Sequence, residues 1–326
     1  MRFRIARPWP TASILLIILL SAGQAASQAS PDLRSASTSG QKQEHTPRFN
    51  ADATLVLIPV TVTDATNRFV LGLQKDDFRL LEDGVEQMIT HFSGEDAPLS
   101  VGLVFDISGS MDDKLRISRQ AAIQFLKTMN PEDEAFLVAF SDQARLVAGF
   151  TSHVEEIQSK LMSLQPGGLT ALLDAAQMAL QEMKNARNPR KAILIISDGG
   201  DNNSRYSSGQ IQSIVREADV QLYAMGIFEP AIFVGMTKEE ISGPRLLAEI
   251  AEQTGGRVFA AAEPSDLPSV ATRIGIELRN QYVLAYAPQN GNKDRKYRRV
   301  EVKVKQPAGL SDLKLHWRLG YYAPSQ

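Results

Sequence analysis

Between residues 99 and 279, short apolar runs rich in β-forming residues alternate with stretches of helical spacing, and this alternation restricts the fold more than any other feature. Runs at 99–106, 135–140, 192–197, 220–227 and 257–260 read as strands. Stretches at 115–129, 154–164, 170–184, 208–218, 244–253 and 265–279 read as helices. Strands joined through helices lie parallel in one sheet with helices on both faces, so the predicted fold class is α/β. Only 135–140 and 145–150 follow one another closely enough to pair antiparallel, which admits one antiparallel edge strand.

Two of these strands end on acidic residues. The apolar run from Val101 stops at Asp106, and hydroxyls follow at Ser108 and Ser110. The run from Ala192 stops at Ser197 and Asp198. Between them, Gly167 and Gly168 lead through Leu169 to Thr170, at the start of a predicted helix. Ligands of open parallel sheets gather outside the carboxyl ends of the strands, so Asp106 and Asp198 can face one crevice, with Thr170 adding a third hydroxyl. Carboxylate plus neutral hydroxyls suits a hard divalent cation, which wants about six oxygens at roughly 2.0–2.1 Å and tolerates water among them.

Asp-x-Ser-x-Ser at Asp106, Ser108 and Ser110, a threonine in a glycine-led loop at Thr170 and an aspartate after a strand at Asp198 together resemble the metal-ion-dependent adhesion site of the von Willebrand factor type A family. The resemblance implies a Rossmann-like domain over 97–280, with a mainly parallel central sheet between helices. It implies Mg²⁺, or Mn²⁺ or Ca²⁺, bound directly by Ser108 and Ser110. Thr170, Asp106 and Asp198 would bind directly or through water. It also implies a protein partner that offers an Asp or Glu carboxylate to an open position on the ion, and no catalysis. Asp76-Asp77-Phe78 with Glu82-Asp83-Gly84, the run Ser197 to Asn202, and Arg318 to Tyr322 are similar to bacterial von Willebrand factor A-related proteins of the acidobacterial type, which extends the likeness over 52–323.

The segments flanking 97–280 are β-rich. In 52–96, a strand from Leu55 contains Pro59, which suggests an edge or a bulge. Asp83-Gly84 is a hairpin signal between 78–81 and a strand at 85–92. In 281–326, valines at 300, 302 and 304 alternate with charges, and a second alternation runs from Leu313 to Leu319. A unit of 52–96 alone is too small to be stable, so the two flanks are expected to pair into one small β-sandwich-like module. The basic cluster 293–299 reads as a solvated strand face.

Residues 1–25 read as a secretory signal peptide: Arg2, Arg4 and Arg7 precede an apolar core at 14–20 and small residues at 21–26. That core is shorter than a spanning helix needs, so cleavage, no stable membrane span, and a secreted or periplasmic location are expected. Residues 26–51 are polar and poor in bulky apolar side chains, which reads as a disordered linker. The chain has no cysteine, which excludes disulfides and thiolate chemistry. Its net charge of −2 becomes −5 without residues 1–25, which argues against a nucleic-acid partner.

There is no Gly-x-x-x-x-Gly-Lys loop for a nucleotide. A Mg²⁺-dependent hydrolase is the competing class, but His45, His91, His153 and His316 all lie outside the crevice loops. A structural envelope protein with a vestigial site is the third class. Asp112 and Asp113 read as caps of the helix that follows them. Residues 201–204 read either as rim or as turn formers. The apolar segment 228–236 reads either as a contact surface or as a cover for the β-module.

Overall fold

The computed structural model describes residues 55–226, 238–306 and 312–325, without the side chains of 238–244. The expected signal peptide (1–25), the linker (26–51) and the apolar segment 228–236 lie outside the described residues. Among those described, no helix is long and apolar enough to cross a membrane.

The α/β architecture is present. Strands β1 (Val56–Thr63), β2 (Phe78–Glu82), β3 (Val85–Gln87) and β4 (His91–Ser93) precede β5 (Leu99–Asp106) and helix α1 (Leu115–Leu126). Then come β6 (Glu134–Phe140), β7 (Ala144–Thr151), α2 (Val154–Ser163), α3 (Leu172–Glu182) and β8 (Arg190–Ile196). Helix α4 (Ser208–Glu217), β9 (Gln221–Gly226), α5 (Lys238–Gln253), β10 (Val258–Ala260) and α6 (Leu267–Arg279) complete the alternation. Strands β11 (Tyr282–Tyr286), β12 (Tyr297–Val304), β13 (Lys314–Trp317) and β14 (Gly320–Tyr322) close the chain.

Six strands form the central sheet in the order β10-β9-β8-β5-β6-β7, all parallel except β7, the antiparallel edge. Strand β5 lies in its middle and is buried along its whole length. Its side chains alternate between two cores, as a pleated strand requires. Val101, Leu103 and Phe105 pack with α1, α2 and α6, whereas Val104 joins Phe136, Ile193 and Ile195 against α3, α4 and α5.

The flanks form two four-stranded antiparallel sheets, ordered β13-β1-β11-β4 and β14-β12-β2-β3. Ile58, Val60, Leu284 and Tyr286 from the first share a core with Leu80, Val300, Val302 and Tyr321 from the second. Asp83 and Gly84 make the β2–β3 turn with φ of 48° and 82°, the pair of positive values that a two-residue hairpin of the right twist needs.

The structure differs from the sequence expectation at Pro59 and at 85–92. Pro59 lies on an interior strand, between β13 and β11, and not on an edge. It is tolerated because β13 begins to pair only at Val60, one residue later. The strand expected at 85–92 is two strands in different sheets, β3 and β4, because the chain crosses from one layer to the other at 88–90.

His316 on β13 is largely shielded, its Nε2 has no hydrogen-bond partner, and burial together with Arg257 and Lys314 lowers its pKa to about 4. The unfolded chain therefore binds a proton near pH 6.5 that the folded chain refuses until about pH 4. The stabilisation held by neutral His316 is complete above pH 6.5 and is lost as the pH falls towards 4. His316→Gln should flatten this part of the urea-midpoint profile between pH 7 and 4.5. Identical slopes in parent and variant would contradict it.

Candidate metal centre

The register of the sheet builds the site. Phe105 pairs with Ile196, so Asp106 at the end of β5 stands beside Ser197, the first residue past β8. Asp106 is fully buried. Its Oδ1 accepts from the Ser108 amide at 2.8 Å and the Ser108 hydroxyl at 2.6 Å, and its Oδ2 accepts from the Ser197 hydroxyl at 2.6 Å. These bonds orient the two serines and leave the Asp106 carboxylate no freedom of its own.

The chain then turns through a short 3₁₀ segment, Gly109–Met111, which places the Ser108 and Ser110 hydroxyls 3.2 Å apart. Adjacent ligands on an octahedral Mg²⁺ lie about 3.0 Å apart at the usual bond length, so these two hydroxyls suit neighbouring positions on such an ion. The glycine loop is tied to the same turn. Gly167 N donates to Ile107 O at 2.8 Å, and Gly109 N donates to Gly168 O at 3.0 Å. Gly168 has φ of 86°, and a Cβ there would stand 2.6 Å from the Asp142 carboxylate, which accepts from Leu169 N. Only glycine fits that bend.

Thr170 follows, nearly buried, and its loop is clamped to the one after β8. Its amide donates to Asn202 Oδ1 at 2.9 Å, and its carbonyl accepts from the amides of Asn202 and Asn203, each at 3.0 Å. Asp201 Oδ1 accepts from Leu172 N at 3.0 Å and from the Ser204 hydroxyl, while Ser204 Oγ accepts from Leu173 N and Asp174 N. Residues 201–204 are therefore neither a bare rim nor idle turn formers. They cap α3 from a distant loop and hold the threonine loop in place.

Asp198 closes the set, with Oδ2 3.6 Å from the Lys114 ammonium. Burial pushes the Asp106 carboxyl up to about 6, the Ser108 and Ser197 hydrogen bonds oppose that rise, and the like charge of Asp198 adds to it. Among the described residues, two carboxylates thus share a poorly solvated crevice with a single ammonium. Among the described residues no group of three or more His, Asp or Glu is placed to hold a metal. A cation here would rest on hydroxyls, and the donor set of two carboxylates and three hydroxyls on three mutually tied loops fits a hard divalent ion.

The structure thus links Asp106, Ser108 and Ser110 by direct hydrogen bonds and holds Thr170 and Asp198 on adjoining loops. Asp112 and Asp113 do not cap α1. Its N-cap position is Lys114, because the 3₁₀ turn runs straight on and Leu115 N finds Asp112 O without help from a side chain. The contacts of Ser197 with Asp106 and of Lys114 with Asp198 have no mark in the sequence: Ser197 stands there only as a hydroxyl ahead of Asp198, and Lys114 carries no signal at all.

Residues 101–200 match the von Willebrand factor type A domain. Inter-alpha-trypsin inhibitor heavy chain H4 of Sus scrofa is 33% identical over 132 residues, 37% of this chain and 14% of that protein. An uncharacterised protein of Borreliella burgdorferi is 25% identical over 185 residues, 50% of this chain and 54% of that one. The chain therefore spans well under two thirds of either relative. Among solved structures, the vWF domain of the type V pili tip protein Mfa5 from Porphyromonas gingivalis superposes with a TM-score of 0.46 at 14% identity, covering 56% of this chain and 95% of that one.

Proposed function

The chain carries a von Willebrand factor type A domain, and from that premise we propose that it is an exported, metal-dependent protein-binding module of the adhesion type. One observation carries the reading: Asp106, Ser108 and Ser110 converge at the carboxyl end of the central strand, with a buried carboxylate that, among the described residues, is bonded to hydroxyls and an amide.

Ser108 and Ser110 would hold Mg²⁺, Mn²⁺ or Ca²⁺ directly, with Thr170, Asp106 and Asp198 completing the shell directly or through water. Bound there, the ion would supply a positive centre whose charge the neutral hydroxyls leave largely uncompensated, open to a partner's Asp or Glu carboxylate. The chain's own part is to fix the donors. Ser197 locks Asp106, Asp106 locks Ser108, and Asn202 locks the Thr170 loop. Export rests on residues 1–26, whose basic flank, apolar core and small residues have the order of a signal peptide.

No catalytic step is assigned. A general base would have to reach the serines, yet His91 and His316 sit on sandwich strands. His153 follows Thr151, which pairs with Ala135 at the far end of β6 from Asp106.

The test is thermal unfolding of the full chain in chelator and then in millimolar Mg²⁺ or Mn²⁺, beside Asp106→Asn. Metal at about 100 times its dissociation constant stabilises by roughly 2.7 kcal/mol, which for a chain of this size is a rise of about 5–10 °C. The parent should show the rise and the variant none. No rise in the parent, or an equal rise in both, would overturn the reading.

A further inference from the structure

Lys114 is the last residue before α1, and its side chain reaches across to the loop after β8. Its backbone is fixed from both sides: Lys114 N donates to Met111 O at 3.0 Å, and Lys114 O accepts from Ser118 N at 3.0 Å. The side chain lines a narrow crevice together with Met111, Ser118, Ile196, Asp198 and Leu267. At its end the ammonium meets Asp198, with the two side chains only 20% and 12% exposed. Among the described residues Asp198 has no other ion-pair partner, and Asp106 beside it has hydrogen bonds but no cation.

We propose that Lys114 is the site's own counter-cation, paired with Asp198, and that a divalent ion must displace it in order to bind. This inference rests on the metal reading above and adds to it a residue that sets the affinity. An ion on Asp198 and an ammonium 3.6 Å from the same carboxylate oxygen are two positive charges within a few ångströms in a poorly solvated crevice, where repulsion is screened far less than in water. Where Asp198 binds the ion directly, the two cations compete for the one carboxylate oxygen. The lysine stem, with its rotatable bonds, is the part that can leave. Metal binding is therefore an exchange of one bound charge for another, and its affinity is reduced by whatever the Lys114–Asp198 pair contributes before the exchange.

The experiment is calorimetric titration of MnCl₂ into the full chain, its Lys114→Met and Lys114→Arg variants, and Asp106→Asn, with thermal unfolding of each in chelator. Lys114→Met keeps most of the apolar stem and removes the charge. It should bind Mn²⁺ at least about ten times more tightly than the parent, the equivalent of 1.4 kcal/mol. In chelator it should melt below the parent, and it should gain more from added Mn²⁺. Lys114→Arg retains the charge and should bind no more tightly than the parent. Lys114→Gln replaces Lys114→Met if the latter does not fold. Equal or weaker binding by the uncharged variant, with Asp106→Asn silent, would overturn the role of Lys114 and leave the metal reading standing. Absence of Mn²⁺ binding in both the parent and the uncharged variant would overturn the metal reading and this inference with it.

Discussion

Glu277→Ala is expected to destabilise the chain by about 3–5 kcal/mol, because it strips a buried ion pair of one partner and leaves the other charge uncompensated. Glu277, on α6, is fully buried. Arg257 Nε reaches its two oxygens at 3.1 and 3.0 Å, Arg257 Nη2 also donates to it, and Tyr223 OH donates at 3.3 Å. The network continues from Tyr223 through Gln281 to Thr61 on β1, each step at 3.1 Å. It therefore joins the α/β domain to the β-module, and α6 runs directly into β11 at this point. At a few degrees per kcal/mol the melting temperature should fall by roughly 10 °C. Glu277→Met together with Arg257→Met should recover most of the loss, since no unpaired charge then remains. A single-variant loss below about 1 kcal/mol would show that the network is not the joint described here.

The second large effect lies inside the sandwich. Glu82 is almost completely buried at the end of β2, and its Oε2 accepts from Tyr286 OH at 2.7 Å and Tyr321 OH at 2.8 Å. Tyr286 belongs to the opposite sheet, so the carboxylate ties the two layers together across their core. Burial raises the pKa of both phenols, which stay protonated and keep donating. Glu82→Ala would take the shared acceptor from two buried hydroxyls and leave a void. A lost buried partner costs about 1–3 kcal/mol, and with the void urea unfolding should report a total of roughly 2–5 kcal/mol. Glu82→Gln keeps an acceptor oxygen and should lose about half as much. An equal loss in both variants would place the effect in the carboxylate's charge and not in its two acceptor bonds.

Glu82 also shows how far the sequence can be read. As part of Glu-Asp-Gly it looks like the first residue of a turn, and the turn is where the sequence places it, at Asp83 and Gly84. Its burial follows from Tyr286 and Tyr321, more than 200 residues away, which no local pattern around Glu82 encodes. The site divides in the same way. The convergence of Asp106, Ser108 and Ser110 is readable because it is local: a strand must end, the chain must turn, and alternate side chains then converge. Ser197 on Asp106 and Lys114 against Asp198 are contacts between different loops and leave no periodic trace.

What the sequence determined by itself was the class of fold and the end of the sheet where chemistry can occur. Alternating strand and helix periods admit little besides a parallel sheet covered on both faces, and acidic residues at strand ends mark its carboxyl edge. The tertiary structure alone decided the strand order that puts β5 between β8 and β6, the interior place of Pro59, and the division of 85–93 between two sheets. It also decided which cation faces Asp198. The physical reason is range. Periodicity reports which face of an element is buried, whereas pairing partners and buried charge networks are chosen by competition among all segments at once, and that choice is settled only when the chain has folded.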